Sequence, residues 1–258
     1  MLLFPSDPFQ PSIADEAYLE EWHTAQTLGQ SCALFSLEDL KLGLFKPKPA
    51  ITPGTSVLYR GWMLTPNEYA QLHAAITDKG GKPLVSPAQY RHAHYLPEWY
   101  AMCRDCTPET LVLPRESDFV AALAEHVWPA YFVKDYVKSL TTERGSIATS
   151  SEQVAQVVAL LEHYRGGIEG GVCIRRFEHW QIASEERFFV LHGQAYARDG
   201  KPPELAHTLA KRIDSPFFSM DLVLAQDGKM RLIEIGDGQV SDRKKWPVQV
   251  FFDMLAQM

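Results

Sequence analysis

Towards the end of the sequence two apolar runs, Leu222-Val223-Leu224 and Leu232-Ile233, flank Asp227-Gly228, a dipeptide that favours the tight turn of a β-hairpin. With Asp227 and Gly228 as the two central turn residues, cross-strand partners carry numbers that sum to 455, and Asp221 and Glu234 satisfy that sum. Opposed residues share one face of the ribbon with Cβ atoms about 4.5–5.5 Å apart, where two like charges repel unless a cation lies between them. A divalent metal meets that demand, and Mg²⁺ typically takes one or two carboxylates and completes its shell with water and phosphate oxygens. Two solvated acids on an exposed hairpin are the alternative, but the apolar character of both strands puts the acids at a cleft. The chain continues Ile235-Gly236-Asp237-Gly238-Gln239, in which Asp237 is either a third oxygen ligand or part of a plain glycine turn.

Other charged residues fall in pairs. At a two-residue period, a strand over 131–139 places Lys134 and Lys138 on one face with Phe132 and Tyr136. That surface suits the base and phosphates of a nucleotide, and equally suits an edge strand protected by lysines. Arg176 and Glu178 share a strand face, as do Arg187 and Phe189. Arginines in such places clamp phosphate or carboxylate, or form surface ion pairs of little consequence.

Strand and helix signals alternate over residues 1–115, with a capping box at Thr65-Pro66-Asn67-Glu68, as an α/β layer requires. A helix is expected over 87–100, broken near Pro97, and another after Ser150, capped with Gln153 and carrying the stripe Val154, Val157, Val158 and Leu161. The 25 Lys and Arg stand against 32 Asp and Glu, and a net charge of −7 argues against a nucleic-acid partner. No apolar run approaches the roughly 18 residues of a membrane span, and Met1-Leu2-Leu3-Phe4-Pro5 lacks the features of a signal peptide, so a soluble cytoplasmic protein is expected. Four scattered cysteines fit a reducing compartment. Cys103 and Cys106 form one C-x-x-C without a second well-spaced ligand pair and are read as ordinary thiols. His92, His94 and Trp99 are read as packing residues at a domain join.

In order along the chain, the lysine strand, the capped helix, Cys173-Ile174-Arg175-Arg176-Phe177-Glu178, Glu186-Arg187-Phe188-Phe189-Val190, Met220-Asp221-Leu222-Val223 and Ile233-Glu234-Ile235 resemble the ATP-grasp superfamily. The resemblance covers about residues 128–240. Two lysines on the nucleotide strand are similar to the divergent two-lysine clade, which includes the eukaryotic factor that promotes assembly of translation initiation factor 2. Tyr59-Arg60-Gly61-Trp62-Met63-Leu64 and the segment from Tyr90-Arg91 to Leu96-Pro97 resemble its bacterial and phage members.

This resemblance implies an α/β N-terminal domain (1–115) followed by an α+β ATP-grasp fold, whose lysine-bearing (116–185) and metal-binding (186–258) subdomains clamp a nucleotide. It implies ATP and Mg²⁺ as cofactors, with Lys134, Lys138 and Arg176 on the phosphates, Phe177 and Glu178 at the adenine hinge, and Arg187 near the transferring phosphoryl group. The metal falls to Asp221, Glu234 and Asp237, and Arg60 or Arg176 is left for a substrate carboxylate. The implied activity is an ADP-forming carboxylate–amine ligase working through an acylphosphate, with a protein or peptide as substrate. Where the family pattern ends Glu-x-Asn, this chain has Gly236, which favours the alternative of an ATP-binding assembly or interaction factor without turnover.

Overall fold

The computed structural model describes residues 1–140 and 145–258. The chain forms two compact units, one from residues 1–93, 187–220 and 236–258, the other from 94–186 and 221–235.

The first unit contains a four-stranded parallel sheet built from β1 (Leu2–Pro5), β2 (Cys32–Phe35), β3 (Ser56–Tyr59) and β4 (Lys82–Pro83), in the order β2-β1-β3-β4. Every residue of β1 and β2 is buried, which is why these short runs are apolar throughout rather than alternating. Helices α1 (Leu19–Thr27), α2 (Leu37–Lys41), α3 (Pro66–Asp78) and α4 (Pro87–His94) are threaded among the strands. The expected capping box opens α3: Glu68 N–H donates to Thr65 Oγ1 at 3.3 Å, and Thr65 N–H donates to the Glu68 carboxylate at 2.8 Å. Phe4, Leu34, Tyr59 and Leu72 share one core with Phe189, Phe217, Phe251 and Phe252.

The second unit holds an antiparallel sheet of β5 (Thr110–Leu113), β6 (Tyr131–Asp135), β7 (Ile147–Ala148) and β8 (Val172–Arg176), in the order β5-β8-β6-β7. With it go helices α5 (Leu96–Cys103), α6 (Phe119–Ala122) and α7 (Ser151–Arg165). Alternation decides its two faces. Tyr131, Val133, Val172 and Ile174 join Val154, Val157 and Val158 of α7 in a core. The neighbouring positions Phe132 and Lys134 of β6, opposite Arg175 and Cys173 of β8, occupy the other face.

Several expectations change here. β5, expected in the N-terminal layer, pairs with β8 instead. The strand expected over 131–139 ends at Asp135, whose buried carboxylate accepts the N–H groups of Val137 (2.7 Å) and Lys138 (2.6 Å) and so turns the chain back. Ser150 makes no side-chain cap, and the Gln153 side chain accepts from Thr149 instead. The helix over 87–100 is two helices, with the break at Tyr95 and Pro97 inside the first turn of α5.

The third sheet is ordered β10-β9-β11-β12, from β9 (Glu186–Leu191), β10 (Gln194–Tyr196), β11 (Phe217–Leu224) and β12 (Met230–Asp237), accompanied by α8 (Glu204–Arg212) and α9 (Val248–Leu255). β11 and β12 each supply both units: 217–220 and 236–237 belong to the first, 221–224 and 230–235 to the second.

Candidate active site

Lys134 and Glu234 are the best-defined ion pair of the second unit. The buried Lys134 ammonium lies 2.7 Å from Glu234 Oε1, with 6% of the lysine side chain and 39% of the glutamate side chain exposed. Loss of surrounding water would raise the Glu234 carboxyl, but the charge and hydrogen bond of Lys134, with help from Lys138, hold it below the usual carboxylate value against the opposing charge of Asp221. Lysine and glutamate therefore face each other fully charged, and Asp221 is buried close by at 3% exposure.

The hairpin reaches this arrangement by an indirect route. Gly228 N–H bonds Ala225 O at 3.0 Å, Ala225 N–H bonds Lys229 O at 2.8 Å, and Gly228 adopts a φ of +79°. These bonds define a three-residue turn, Gln226-Asp227-Gly228, rather than the expected two-residue turn, and partners next to it sum to 454. At the other end of the strands Gly238 N–H bonds Phe217 O at 3.1 Å, and a Cβ built on Gly236 would stand 3.3 Å from Ser219 Oγ, so the sum there is 455.

One residue of β12 is therefore extra. It falls at Leu232-Ile233, where two successive carbonyls, which point oppositely in a regular strand, are taken by one pair of bonded side chains. Thr107 Oγ1 donates to Leu232 O at 2.8 Å, Arg175 Nη1 donates to Ile233 O at 2.8 Å, and Arg175 Nη2 donates to Thr107 Oγ1 at 2.6 Å. This β-bulge brings Glu234 to the same ribbon face as Asp221; without it the two carboxylates would point to opposite faces.

Lys138 does not share a strand with Lys134. It is exposed, beyond the turn that Asp135 pins, and its charge still bears on Glu234 and on His94. Asp135 is itself a residue that the sequence reading missed: fully buried, it also receives Arg165 and the Glu169 N–H. His94 is buried at 5% exposure, and burial first, then Lys138 and Lys134, push its imidazole down to about 4, so it is neutral. Trp99 is buried at 1% exposure, as a packing residue should be.

The two adjacent arginines exchange the expected importance. Arg176 is exposed and lies 3.3 Å from Glu178, which also receives both prongs of Arg231 at 2.8 and 3.0 Å. Partial burial would raise Glu178, but Arg231 and then Arg176 hold it low. Phe177 donates its N–H to Ala130 O and meets His179 edge to face at 5.0 Å. Arg175 is the buried one. Burial pulls its guanidinium down to about 10 against the raising charge of Glu234, and its Nε–H has no hydrogen-bond partner among the described residues.

Three expected residues lie in the first unit. Arg60, expected to be free for a substrate carboxylate, is 1% exposed and already saturated. It grips Glu21 with two bonds of 2.6 and 2.9 Å and donates Nη1 to the carbonyls of Gly238, Gln239 and Ser241. Arg187 donates to the backbone and side-chain oxygens of Asp242 at 2.9 and 2.7 Å. Asp237 is fully buried; its Oδ1 accepts the backbone and side-chain N–H groups of Gln239, its Oδ2 is unpartnered among the described residues, and burial raises the carboxyl to about 7. At Gly236 a Cβ would meet Ser241 Oγ at 3.0 Å, so these serines leave no room for the family asparagine.

Asp221 and Glu234 are hard oxygen donors on facing strand positions with a lysine behind one of them, a set that fits Mg²⁺ sharing its shell with phosphate. Among the described residues no group of three or more His, Cys, Asp or Glu is gathered to hold a metal ion, so the pair stands without a third carboxylate. All four cysteines are free and buried, and Cys106 donates its thiol to Cys103 O. Among the described residues no helix is long and apolar enough to cross a membrane.

A family model described as an ATP-grasp domain, family 3 of its clade, matches residues 75–255. Among solved structures, D-alanyl-alanine synthetase A from Vibrio cholerae O1 biovar eltor str. N16961 is similar at 13% identity and a TM-score of 0.66, over 99% of this chain and 96% of that one. The macrocyclase MdnC bound with precursor peptide MdnA from Microcystis aeruginosa MRC is similar at 14% identity and a TM-score of 0.62, over 100% of both chains. The ATP-grasp ligase PsnB complexed with minimal precursor, Mg and ADP is similar at 12% identity and a TM-score of 0.62, over 99% of this chain and 97% of that one. No curated protein matches the chain. At such identities the structural likeness speaks for the fold alone.

Proposed function

The chain belongs to this ATP-grasp domain family, and from that premise we propose that it is an ATP- and Mg²⁺-dependent carboxylate–amine ligase of the two-lysine kind, acting on a protein or peptide. The observation that carries the reading is the 2.7 Å Lys134–Glu234 pair beside Asp221. A Mg–phosphate unit offers the complementary charges, cation to the carboxylates and anion to the lysine, so neither partner is left unpaired on binding. Asp221 and Glu234 would hold Mg²⁺, which supplies neutralisation of phosphate charge.

Lys134 and Lys138 would steady the phosphate oxygens, preorganised by the fold rather than recruited by the ligand. A substrate carboxylate oxygen attacks the γ-phosphorus, and ADP leaves. An amine then attacks the acyl carbon of the acylphosphate, forming the amide and releasing phosphate and a proton. The resemblance gives Arg187 to the transferring phosphoryl group, and Arg187→Ala tests that role separately. Support for a peptide substrate comes from MdnC, whose structure holds a precursor peptide.

The test is ADP formation that requires both a carboxylate donor and an amine acceptor. Folded Glu234→Gln and Lys134→Ala proteins should lose about 100-fold or more in turnover, and unchanged turnover in both would sink the assignment. The tight packing at Gly236 favours a second reading, an ATP-binding assembly or interaction factor without turnover. Tight Mg-ATP binding with no ADP from any acceptor would select it.

A further inference from the structure

The side chains that grip the bulge belong to no ligand set considered so far. Arg175 comes from β8, on the sheet face that also carries Lys134. Thr107 comes from the segment after α5, where Cys106 O also accepts the N–H of Leu232 at 2.8 Å. Together they hold Leu232 and Ile233 by both carbonyls and one N–H, immediately before Glu234. Arg175 is 3% and Thr107 1% exposed, so water competes little for these bonds.

We propose that Arg175 and Thr107 are positioning residues that lock the Leu232-Ile233 bulge and thereby aim Glu234 at a divalent cation shared with Asp221. The proposal rests on the metal reading of Asp221 and Glu234. Its logic is the parity of a strand: a register slip of one residue turns a side chain to the other face. The turn alone sets partners at 454, which would send Glu234 away from Asp221, so the bulge is what makes the carboxylate pair. Residues that orient metal ligands from behind commonly change metal affinity about 10–100-fold when replaced.

The probe is Mn²⁺ with ADP, followed by electron paramagnetic resonance on the full chain, alongside thermal melting. Thr107→Val keeps shape and loses the hydroxyl; it should weaken Mn²⁺ binding about 10-fold with little change in melting, and Thr107→Ser should restore it. Arg175→Gln should weaken binding at least as much. Arg175→Lys should resemble Arg175→Gln, because the charge stays but the two-pronged grip does not. If Arg175→Gln does not fold, the threonine pair decides. Mn²⁺ affinity that stays at the wild-type value in folded Thr107→Val, or in Arg175→Lys, overturns the brace while leaving the ligase reading intact. Absence of Mn²⁺ binding by the wild type, or wild-type binding by Glu234→Gln, removes the metal reading and the brace with it.

Discussion

Arg60→Met separates a structural arginine from a substrate-binding one. The guanidinium is 1% exposed, makes two bonds to a glutamate whose side chain is 6% exposed, and stacks over Phe251 at 4.9 Å from the ring centre. Removing one partner of a buried pair costs about 3–5 kcal/mol because the other charge is stranded. Arg243 Nε still reaches Glu21 Oε1 at 2.9 Å and reduces that cost. The carbonyls of Gly238, Gln239 and Ser241 lose their donor, at about 1 kcal/mol or more each where no water replaces it. Methionine keeps much of the packing, so the expected loss is about 3–5 kcal/mol, on the order of 10 °C in melting temperature for a protein of this size.

Urea titration followed by tryptophan fluorescence measures it, and Glu21→Gln added to Arg60→Met should recover part of the loss. The acid limb gives a further signature. Burial would raise Glu21, yet Arg60 and Arg243 hold it low, so the folded form gains from this carboxylate above its unfolded pKa and loses the gain as pH falls. That contribution should shrink in Arg60→Met. A stability loss below about 1 kcal/mol, together with a raised KM for the carboxylate donor, would refute the structural assignment.

Three other perturbations follow from the same geometry. His94 has its pKa depressed to about 4, so the unfolded chain takes up a proton between about pH 6.5 and 4 that the folded chain refuses; stability should fall over that window in the wild type by about 3 kcal/mol and less in His94→Gln, measured by urea midpoints at each pH. Gly236→Ala should cost about 1 kcal/mol and Gly236→Asn clearly more, because the new Cβ crowds Ser241 Oγ at 3.0 Å; Ser241→Ala in the same chain should return part of the loss in thermal melts. Gly170→Ala should cost more than about 2 kcal/mol, since φ is +76° and the Cβ would fall 2.1 Å from Tyr136 Cδ2, and equilibrium unfolding against wild type checks it.

The fold is legible where one physical rule governs a segment. The apolar runs of β1 and β2, the capping box at Thr65 and the alternation that separates Val133 from Lys134 all depend on near neighbours. Local reading fails where a distant group overrides the pattern. Two-residue spacing cannot reveal that Asp135 folds the chain back before Lys138, and the choice between Arg175 and Arg176 turns on which one the strand buries. α8 leaves little signal because its buried stripe is Ala206, Leu209 and Ala210, too small to stand out. The Asp221–Glu234 pairing follows in sequence from a two-residue turn, whereas the geometry reaches it through a three-residue turn and a bulge, and a bulge leaves no local mark in Leu232-Ile233. Arg60 shows the same limit, since its partners come from residues near 21 and near 240.

The first unit is assembled from three separate stretches, and Leu3 and Phe4 share their core with Phe251 and Phe252. Its nucleus therefore cannot close until residues near 250 have left the ribosome. Residues 94–186, which form most of the second unit, are continuous and can order earlier with the α7-backed sheet. Synthesis thus holds the strands β1 and β2, apolar along their whole length, waiting for distant partners, which makes this half of the molecule the slow-folding and chaperone-dependent one.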